Sequence, residues 1–376
     1  MSTKHHHFKS LTGLRFIAAL FVFILHGGNH GLLSSNYLHL LDFSKAVSFF
    51  FVLSGFVLGF SYHRRSFSFR RFFISRLARV WPVTVISLFF VTLILPDSVY
   101  LPSVGSLVSK PLVFISHILC IQSFIPLPSF YFGFNAVTWT ISVELFFYLL
   151  FPFLNSLKFS YLFRFFLFYT LLLLSFSLVI SSLSLPGFSV AHFDSVVWQG
   201  LIYINPFFRL PEFVLGIIGS RALFSYSYCF KDYISRIPSS FLQFVYTFSF
   251  FLFFWIGTHS LFAKLAPPFH LALDQLTAAI CSLLLIYIAI SPSSVINSIL
   301  SIKPFVYLGR VSLSVYLLHQ PLMIRSSQIG GFEIFGQQLL PDNFFSLLLI
   351  TIGISCLSFH LIEKPFQRII SNLAHD

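Results

Sequence analysis

The chain has 376 residues, of which 57% are hydrophobic and only 9% are charged, whereas a soluble domain carries about 25% charged residues. This composition excludes an ordinary soluble globular protein. The formal net charge of +12 does not indicate nucleic-acid binding, because the basic residues lie in short segments between apolar blocks, where membrane orientation and anionic headgroups account for them.

The apolar blocks are about 20 residues long, which is the length that a helix needs to cross a bilayer. Pro, Gly, Ser and clustered charges separate them. The sequence therefore predicts an all-α, polytopic membrane helix bundle, a single domain over residues 1–376 without a fused soluble domain. About ten transmembrane helices are expected, beginning near Leu11, Lys45, Leu77, Val137, Phe165, Pro206, Phe241, Leu271, Phe305 and Phe344.

Arg15 and His26 lie inside the first block, GLRFIAALFVFILHGGNH. We interpret it as a permanent helix, because it lacks the small-residue cleavage site of a signal peptide. The two residues are eleven positions apart, which at about 100° per residue places them on one face, with roughly 16 Å of rise between them. Ionisable residues inside a membrane suggest function, whereas a snorkelling anchor is the alternative for Arg15.

The polar segment that follows the second block, SYHRRSFSFRRFFISRLAR, contains six arginines. Lys and Arg are retained on the cytoplasmic side, so this segment and the N-terminus are predicted to be cytoplasmic. Arg76 and Arg79 are three residues apart and open the third helix on one face.

Residues 96–135 separate the third and fourth predicted crossings and contain an apolar stretch, 107–124. If this stretch crossed the membrane, the later basic residues, beginning with Lys158 and Arg164, would lie outside. We therefore expect a long outer loop with a short interfacial or re-entrant helix, ten crossings in all and both termini in the cytoplasm. Loops of this length often act as lids or binding elements.

Polar and aromatic candidates recur in the later spans: Trp139, Glu144, Arg209, Glu212, Arg310 and His319. Arg310 is expected at the cytoplasmic level. Glu144, Arg209, Glu212 and His319 are expected at an outer level with His26. Arginines give bidentate contacts to phosphate, and a histidine beside a carboxylate can accept a hydroxyl proton. This pattern suggests group transfer from a cytosolic, phosphate-bearing compound; ion pairs between helices, such as Glu144 with Arg209, are the alternative.

Seven segments, taken in order, resemble the acyltransferase 3 family of integral membrane acyltransferases. They are LTGLRFIAALFVFILHG, FFFVLSGFVLGF, RFFISRLARVWPV, WTISVELFFYLLFPFL, RLPEFVLG, LGRVSLSVYLLHQPL and HLIEKPFQRI. The resemblance extends over almost the whole chain, and the seven segments together are specific although each one is short.

The resemblance implies transfer of an acyl group, often acetyl, from acyl-CoA to a hydroxyl of a carbohydrate or another acceptor. It implies that His26 is the essential histidine, that Arg15, Arg76 and Arg79 belong to the donor path, and that Glu144 belongs to the site. One position departs from the family: many members have Gly-Val-Asp where this chain has Ala46, Val47 and Ser48. Asp42 is a possible substitute for the missing aspartate.

His26 and His30 have the spacing of two zinc ligands on one helix face, but the intervening GGN weakens the helix, and no metal site is predicted. We therefore expect an O-acyltransferase of the bacterial cytoplasmic membrane that moves an acyl group from cytosolic acyl-CoA, its co-substrate, across the bilayer to the acceptor, without a tightly bound cofactor. His26 would act with Glu144, either as a base or as a nucleophile that forms an acyl-imidazole. A separate acyl-accepting partner protein is also possible.

The rival hypothesis is a transporter of an anionic solute, in which arginines line the path and His26 with Glu144 relays protons. The sequence shows no obvious pair of broken helices of the kind that many transporters use. Release of free CoA that depends on His26 would distinguish the two classes, because a transporter leaves a thioester intact.

Overall fold

A computed structural model describes residues 2–33, 42–101, 109–225, 267–291, 294–330 and 343–373, together with a few isolated positions. Its α-helices in chain order are α1 (Ser2–Asn29), α2 (Ala46–Ser61), α3 (Phe69–Ile94), α4 (Asp97–Tyr100), α5 (Lys110–Ile118), α6 (Pro128–Tyr131), α7 (Trp139–Ser156), α8 (Phe159–Ser182), α9 (Pro206–Ser225), α10 (Pro267–Ile290), α11 (Val295–Leu300), α12 (Lys303–Ile329), α13 (Phe344–Ser358) and α14 (Lys364–Leu373). Short 3₁₀ turns cover Phe43–Lys45, Gln122–Phe124, Ala136–Thr138 and Val190–His192, and π-helical turns cover Gly200–Ile204 and Phe359–Glu363. Two-residue strands, β1 (Glu333–Ile334) and β2 (Gln337–Gln338), pair antiparallel.

Seven helical segments among the described residues are long and apolar enough to cross a membrane. They are Lys9–Asn29, Phe43–Ser61, Phe69–Ile94, Ala136–Ser156, Phe159–Ser182, Pro267–Ile290 and Phe344–Ile370. Each coincides with one of the ten predicted crossings, so the prediction of an all-helical, multi-pass membrane bundle is confirmed.

The three remaining predicted crossings are not among these segments. Those expected near Pro206 and Phe305 fall on α9 and α12, which have 20 and 27 residues and each carry three charged residues. Most of the segment that follows Phe241 lies outside the described residues.

The predicted outer loop is anchored to the bundle by α5. This helix has nine residues and a length of about 14 Å, too short to cross a bilayer. His117 is fully buried; its Nε2 donates to the carbonyl oxygen of Phe130 at 2.6 Å, and its Nδ1 lies 2.9 Å from the hydroxyl of Thr138. Because burial lowers the pKa of His117 to about 4, this ring is neutral at physiological pH.

Glycines allow two pairs of helices to approach closely. A Cβ on Gly55 of α2 would overlap with the carbonyl oxygen of Phe213 on α9. A Cβ on Gly309 of α12 would overlap with the carbonyl oxygen of Thr12 on α1. Small residues at such positions let helix backbones pack against each other in membranes, and the α1–α12 contact brings the helices of His26 and His319 together.

A proline interrupts α12 just after His319. Pro321 has no N–H, so the carbonyl oxygen of Leu317 loses its helical partner. The side-chain nitrogen of Asn135 donates to this oxygen at 2.8 Å. The end of the outer segment is thereby joined to the turn of α12 that carries His319.

Candidate functional site

His26 and His319 form a direct pair between α1 and α12. The Nδ1 atom of His26 lies 2.7 Å from Nε2 of His319. The ring planes are within 10° of each other and the centroids are 4.9 Å apart, as an in-plane hydrogen bond requires. His319 is 1% exposed, whereas His26 is only partly buried.

The backbone of α12 determines which nitrogen atoms carry hydrogen in this pair. Nδ1 of His319 lies 2.7 Å from the carbonyl oxygen of Tyr316 and 3.2 Å from that of Val315, and a carbonyl can only accept. In neutral rings Nε2 of His319 is therefore an acceptor, so Nδ1 of His26 donates to it. This assignment leaves the lone pair of His26 on Nε2, where it is available to accept a proton.

The second part of the site is a cavity of about 80 Å³ that is lined by residues of α1, α2, α3, α7 and α12. Its polar lining consists of Arg15, Ser54, Arg79, Thr140, Glu144, Ser312 and Tyr316. Tyr316 connects the two parts of the site, because its side chain lines the cavity and its carbonyl oxygen accepts the hydrogen bond from His319.

The sequence had predicted Glu144 beside His26. In the structure it lies in the arginine-lined cavity instead. Its carboxylate accepts hydrogen bonds from the hydroxyls of Tyr148 and Ser54, and it is within electrostatic range of Arg15. The hydrogen-bond partner that the structure gives His26 is His319. The expected division into a basic inner level and an outer level with carboxylates is therefore wrong for Glu144.

Arg76 lies next to the cavity without lining it. Its guanidinium sits over the ring of Phe72, 5.9 Å from the centroid, and its charge is within electrostatic range of Arg15. Its buried Nε atom has no hydrogen-bond partner among the described residues. Three arginines thus converge on one region of α1 and α3.

Arg209 and Glu212 belong to a separate buried network on α9. Nη1 of Arg209 lies 2.5 Å from Oε1 of Glu212 and 3.0 Å from Oδ2 of Asp274. Asp274 also pairs with Lys45 through a 2.6 Å contact. The guanidinium of Arg209 lies 6.0 Å from the ring centroid of Trp139, so these two predicted residues meet each other but not the histidine pair.

Sequence reasoning did not identify Lys45 or Asp274 as members of this network. Asp274 could have been found, because it is a carboxylate inside the predicted span that begins near Leu271 and such residues are rarely unpaired. Ser48, which replaces the family aspartate, donates to Glu212 at 3.3 Å. Asp42, which was predicted to replace the family aspartate, lies 3.8 Å from Lys45. It therefore contacts the network through the ammonium group of Lys45.

Arg310 has an exposed side chain, and no ion pair involving it is found in the described part of the chain. It lines neither the cavity nor the histidine pair. The described residues also contain no group of three or more His, Cys, Asp or Glu side chains that could hold a metal ion.

Most of the chain is similar to a known protein family. Residues 8–360 match the profile of a family described as an acyltransferase domain. Acyltransferase MdmB of Streptomyces mycarofaciens is 37% identical over 150 residues, which cover 38% of this chain and 38% of that protein. YrhL of Bacillus subtilis (strain 168), provisionally named a peptidoglycan O-acetyltransferase, is 26% identical over 137 residues, which cover 35% of this chain and 20% of that protein. The matches thus span well under half the length of either relative, and no solved structure matches significantly.

Proposed function

Because the chain belongs to the acyltransferase 3 family of membrane proteins, we propose that it transfers an acyl group from cytosolic acyl-CoA across the bilayer to a hydroxyl of a carbohydrate or related acceptor. The name of YrhL supports acetyl as the acyl group and a glycan as the acceptor. We further propose ten crossings, with both termini in the cytoplasm, in a bacterial cytoplasmic membrane. The family match favours this enzyme over the rival anion transporter.

The observation that carries the proposal is the hydrogen bond between His26 and His319, since it leaves the lone pair of His26 on Nε2. In the proposed reaction this nitrogen accepts the proton of the acceptor hydroxyl while the hydroxyl oxygen attacks the thioester carbonyl carbon. The carbon–sulfur bond breaks, and the CoA thiolate leaves and takes up the proton from His26. The products are the ester and free CoA.

The donor is held, in this proposal, by the arginines below the histidine pair. Arg15 and Arg79 line the cavity and Arg76 flanks it, so phosphate groups would find three permanent cations there. The rise of about 16 Å from Arg15 to His26 along α1 would be spanned by the extended arm that carries the acyl group. Holding both substrates in one enclosed path would supply much of the rate enhancement.

Glu144 is assigned to the donor cavity in this proposal and not to the proton transfer. A carboxylate that is hydrogen-bonded by Tyr148 and Ser54 and lies near two guanidinium groups would balance their charge when no donor is bound. Trp139, Arg209 and Glu212 are assigned to the fixed network around Asp274, which positions α9 and α10.

The test uses native membranes that hold equal amounts of the wild type, His26→Ala or His30→Ala, supplied with acetyl-CoA labelled on the acetyl group. Free CoA and label in lipid-linked or polysaccharide material are measured. We expect transfer by the wild type and by His30→Ala, which changes the next turn of the chain, and no transfer by His26→Ala. If thioester stays intact with the wild type, also with longer acyl-CoAs, the proposal is wrong.

The same membranes distinguish a base from a nucleophile. An acyl-imidazole on His26 would leave label on the protein after rapid denaturation when acceptor is removed. We expect no such label, because a base forms no covalent bond to the acyl group.

A further inference from the structure

A second cavity, of about 470 Å³, lies where residues 62–68 connect α2 to α3. It is not part of the site described above. Its lining includes Tyr62, Ser66, Phe67, Arg71, Phe72 and Ser75.

One wall of the cavity consists of packed aromatic rings. The centroids of Tyr62 and Phe67 are 4.6 Å apart, and each lies 5.3 Å from that of Phe72. All three rings pack against Phe151 of α7, at 5.2–5.9 Å. Phe72 is buried, whereas Phe67 is partly exposed. The ring of Phe67, held in place by its neighbours, therefore offers a surface on which a flat heterocycle can stack.

The polar part of the cavity lining consists of one cation, Arg71, and several serine hydroxyls. Arg71 is exposed, so its guanidinium is available to a ligand in the cavity. Ser75 donates its hydroxyl hydrogen to the carbonyl oxygen of Phe72 at 2.7 Å and keeps its oxygen as an acceptor. An arginine beside serine hydroxyls suits a phosphate monoester on a sugar.

The cavity and the donor cavity share one face of α3. Arg71, Ser75 and Arg79 are spaced at four-residue intervals, so their side chains follow one stripe of the helix. Arg79 lines the donor cavity and lies about 12 Å along the axis from Arg71. A ligand that fills the second cavity could therefore continue directly to the arginines of the site.

We propose that this second cavity binds the adenosine 3′,5′-bisphosphate end of the CoA donor, an inference that rests on the proposed use of acyl-CoA. Adenine stacks on the partly exposed ring of Phe67 in the aromatic wall. Arg71 contacts the 3′-phosphate, and the 5′-diphosphate extends along α3 to Arg79 and Arg15, from which the pantetheine arm continues toward His26. This cavity makes the enzyme selective for CoA over shorter pantetheine thioesters.

The test measures binding to the purified, full-length protein in lipid nanodiscs, with CoA, adenosine 3′,5′-bisphosphate and 4′-phosphopantetheine as separate probes. We expect Arg71→Gln to weaken the binding of CoA and of adenosine 3′,5′-bisphosphate about tenfold, the effect of one lost charge-assisted contact. Binding of 4′-phosphopantetheine should not change. Arg70→Gln is the matched control, because it removes an exposed arginine that does not line the cavity.

If Arg70→Gln and Arg71→Gln weaken CoA binding equally, CoA is attracted only by the general positive charge of this surface. That result would overturn the inference. So would wild-type protein that binds CoA without competition from adenosine 3′,5′-bisphosphate. In either case the proposed acyl transfer would stand. Wild-type protein that binds no CoA would overturn the donor assignment itself, and the inference with it.

Discussion

His319 is the residue that holds His26 in one tautomer, because its own Nδ1 is committed to the carbonyl oxygen of Tyr316. We expect His319→Phe to keep the volume but to lower kcat about 100-fold, within the range found for displaced acid–base groups. His319→Gln should stay within about tenfold of the wild type, since its amide oxygen can accept the hydrogen bond from Nδ1 of His26. Label transfer at varied donor concentration measures both variants.

A split between kcat and KM separates this positioning role from a purely structural one. The donor KM should be unchanged in both His319 variants, because the arginines that bind the donor lie elsewhere. A loss of kcat that is equal for Phe and Gln, or a parallel loss of folded protein by size-exclusion chromatography, would contradict the role.

Glu144 offers a second test at the same scale, because sequence and structure give it different neighbours. If its carboxylate balances Arg15 and Arg79, Glu144→Gln should make the cavity more positive and lower the KM for acetyl-CoA by about two- to fivefold, with little effect on kcat. A carboxylate that assists His26 would instead lower kcat about 100-fold on substitution. Initial rates over a range of acetyl-CoA concentrations decide between these roles.

At the scale of the helices, the contact between α1 and α12 depends on Gly309. A methyl group there would overlap with the carbonyl oxygen of Thr12, and overpacking of this kind costs about 1–3 kcal/mol. We expect Gly309→Ala to lower both thermal stability and acyl transfer, because it pushes His26 away from His319. Gly353→Ala on α13 is the control, since nothing lies within 4 Å of its added Cβ; equal behaviour of the two variants would contradict the account.

Helix positions could be predicted from the sequence where apolar length alone decides them, as for the seven segments that can cross the membrane. The crossings predicted near Pro206 and Phe305 also fall on helices, α9 and α12, although both carry buried polar residues. The shared face of Arg15 and His26 also follows from periodicity within one helix.

Neighbours on different helices are set by packing, which periodicity does not encode. The pairing of His26 with His319 instead of Glu144, and the position of Asp274 beside Arg209, depend on which helices approach each other. The glycines that permit these approaches are visible in the sequence, but their partner carbonyls are not. Family resemblance could select the residues of the site without giving their contacts.

For the whole molecule, the proposed topology can be tested by the side of the membrane on which Lys158 lies. In the proposed topology Lys158 lies inside the cell and residues 96–135 remain on the outer side. The nine-residue α5 supports this proposal, because it is too short to cross a bilayer. The test introduces Arg65→Cys, Lys158→Cys or Ser189→Cys, all at exposed positions, into a chain whose four cysteines are replaced by serine. A membrane-impermeant maleimide is then applied to spheroplasts.

We expect the maleimide to label position 189 in intact spheroplasts, and positions 65 and 158 only after permeabilisation. The reason is that six arginines between Tyr62 and Arg79, at the start of the third crossing, hold that end of the helix in the cytoplasm, and two crossings separate it from Lys158. Labelling of position 158 in intact spheroplasts would mean that residues 96–135 cross the membrane. The donor cavity and the later helices would then need a different orientation, and acyl transfer from the cytosol to an outer acceptor would lose its structural basis.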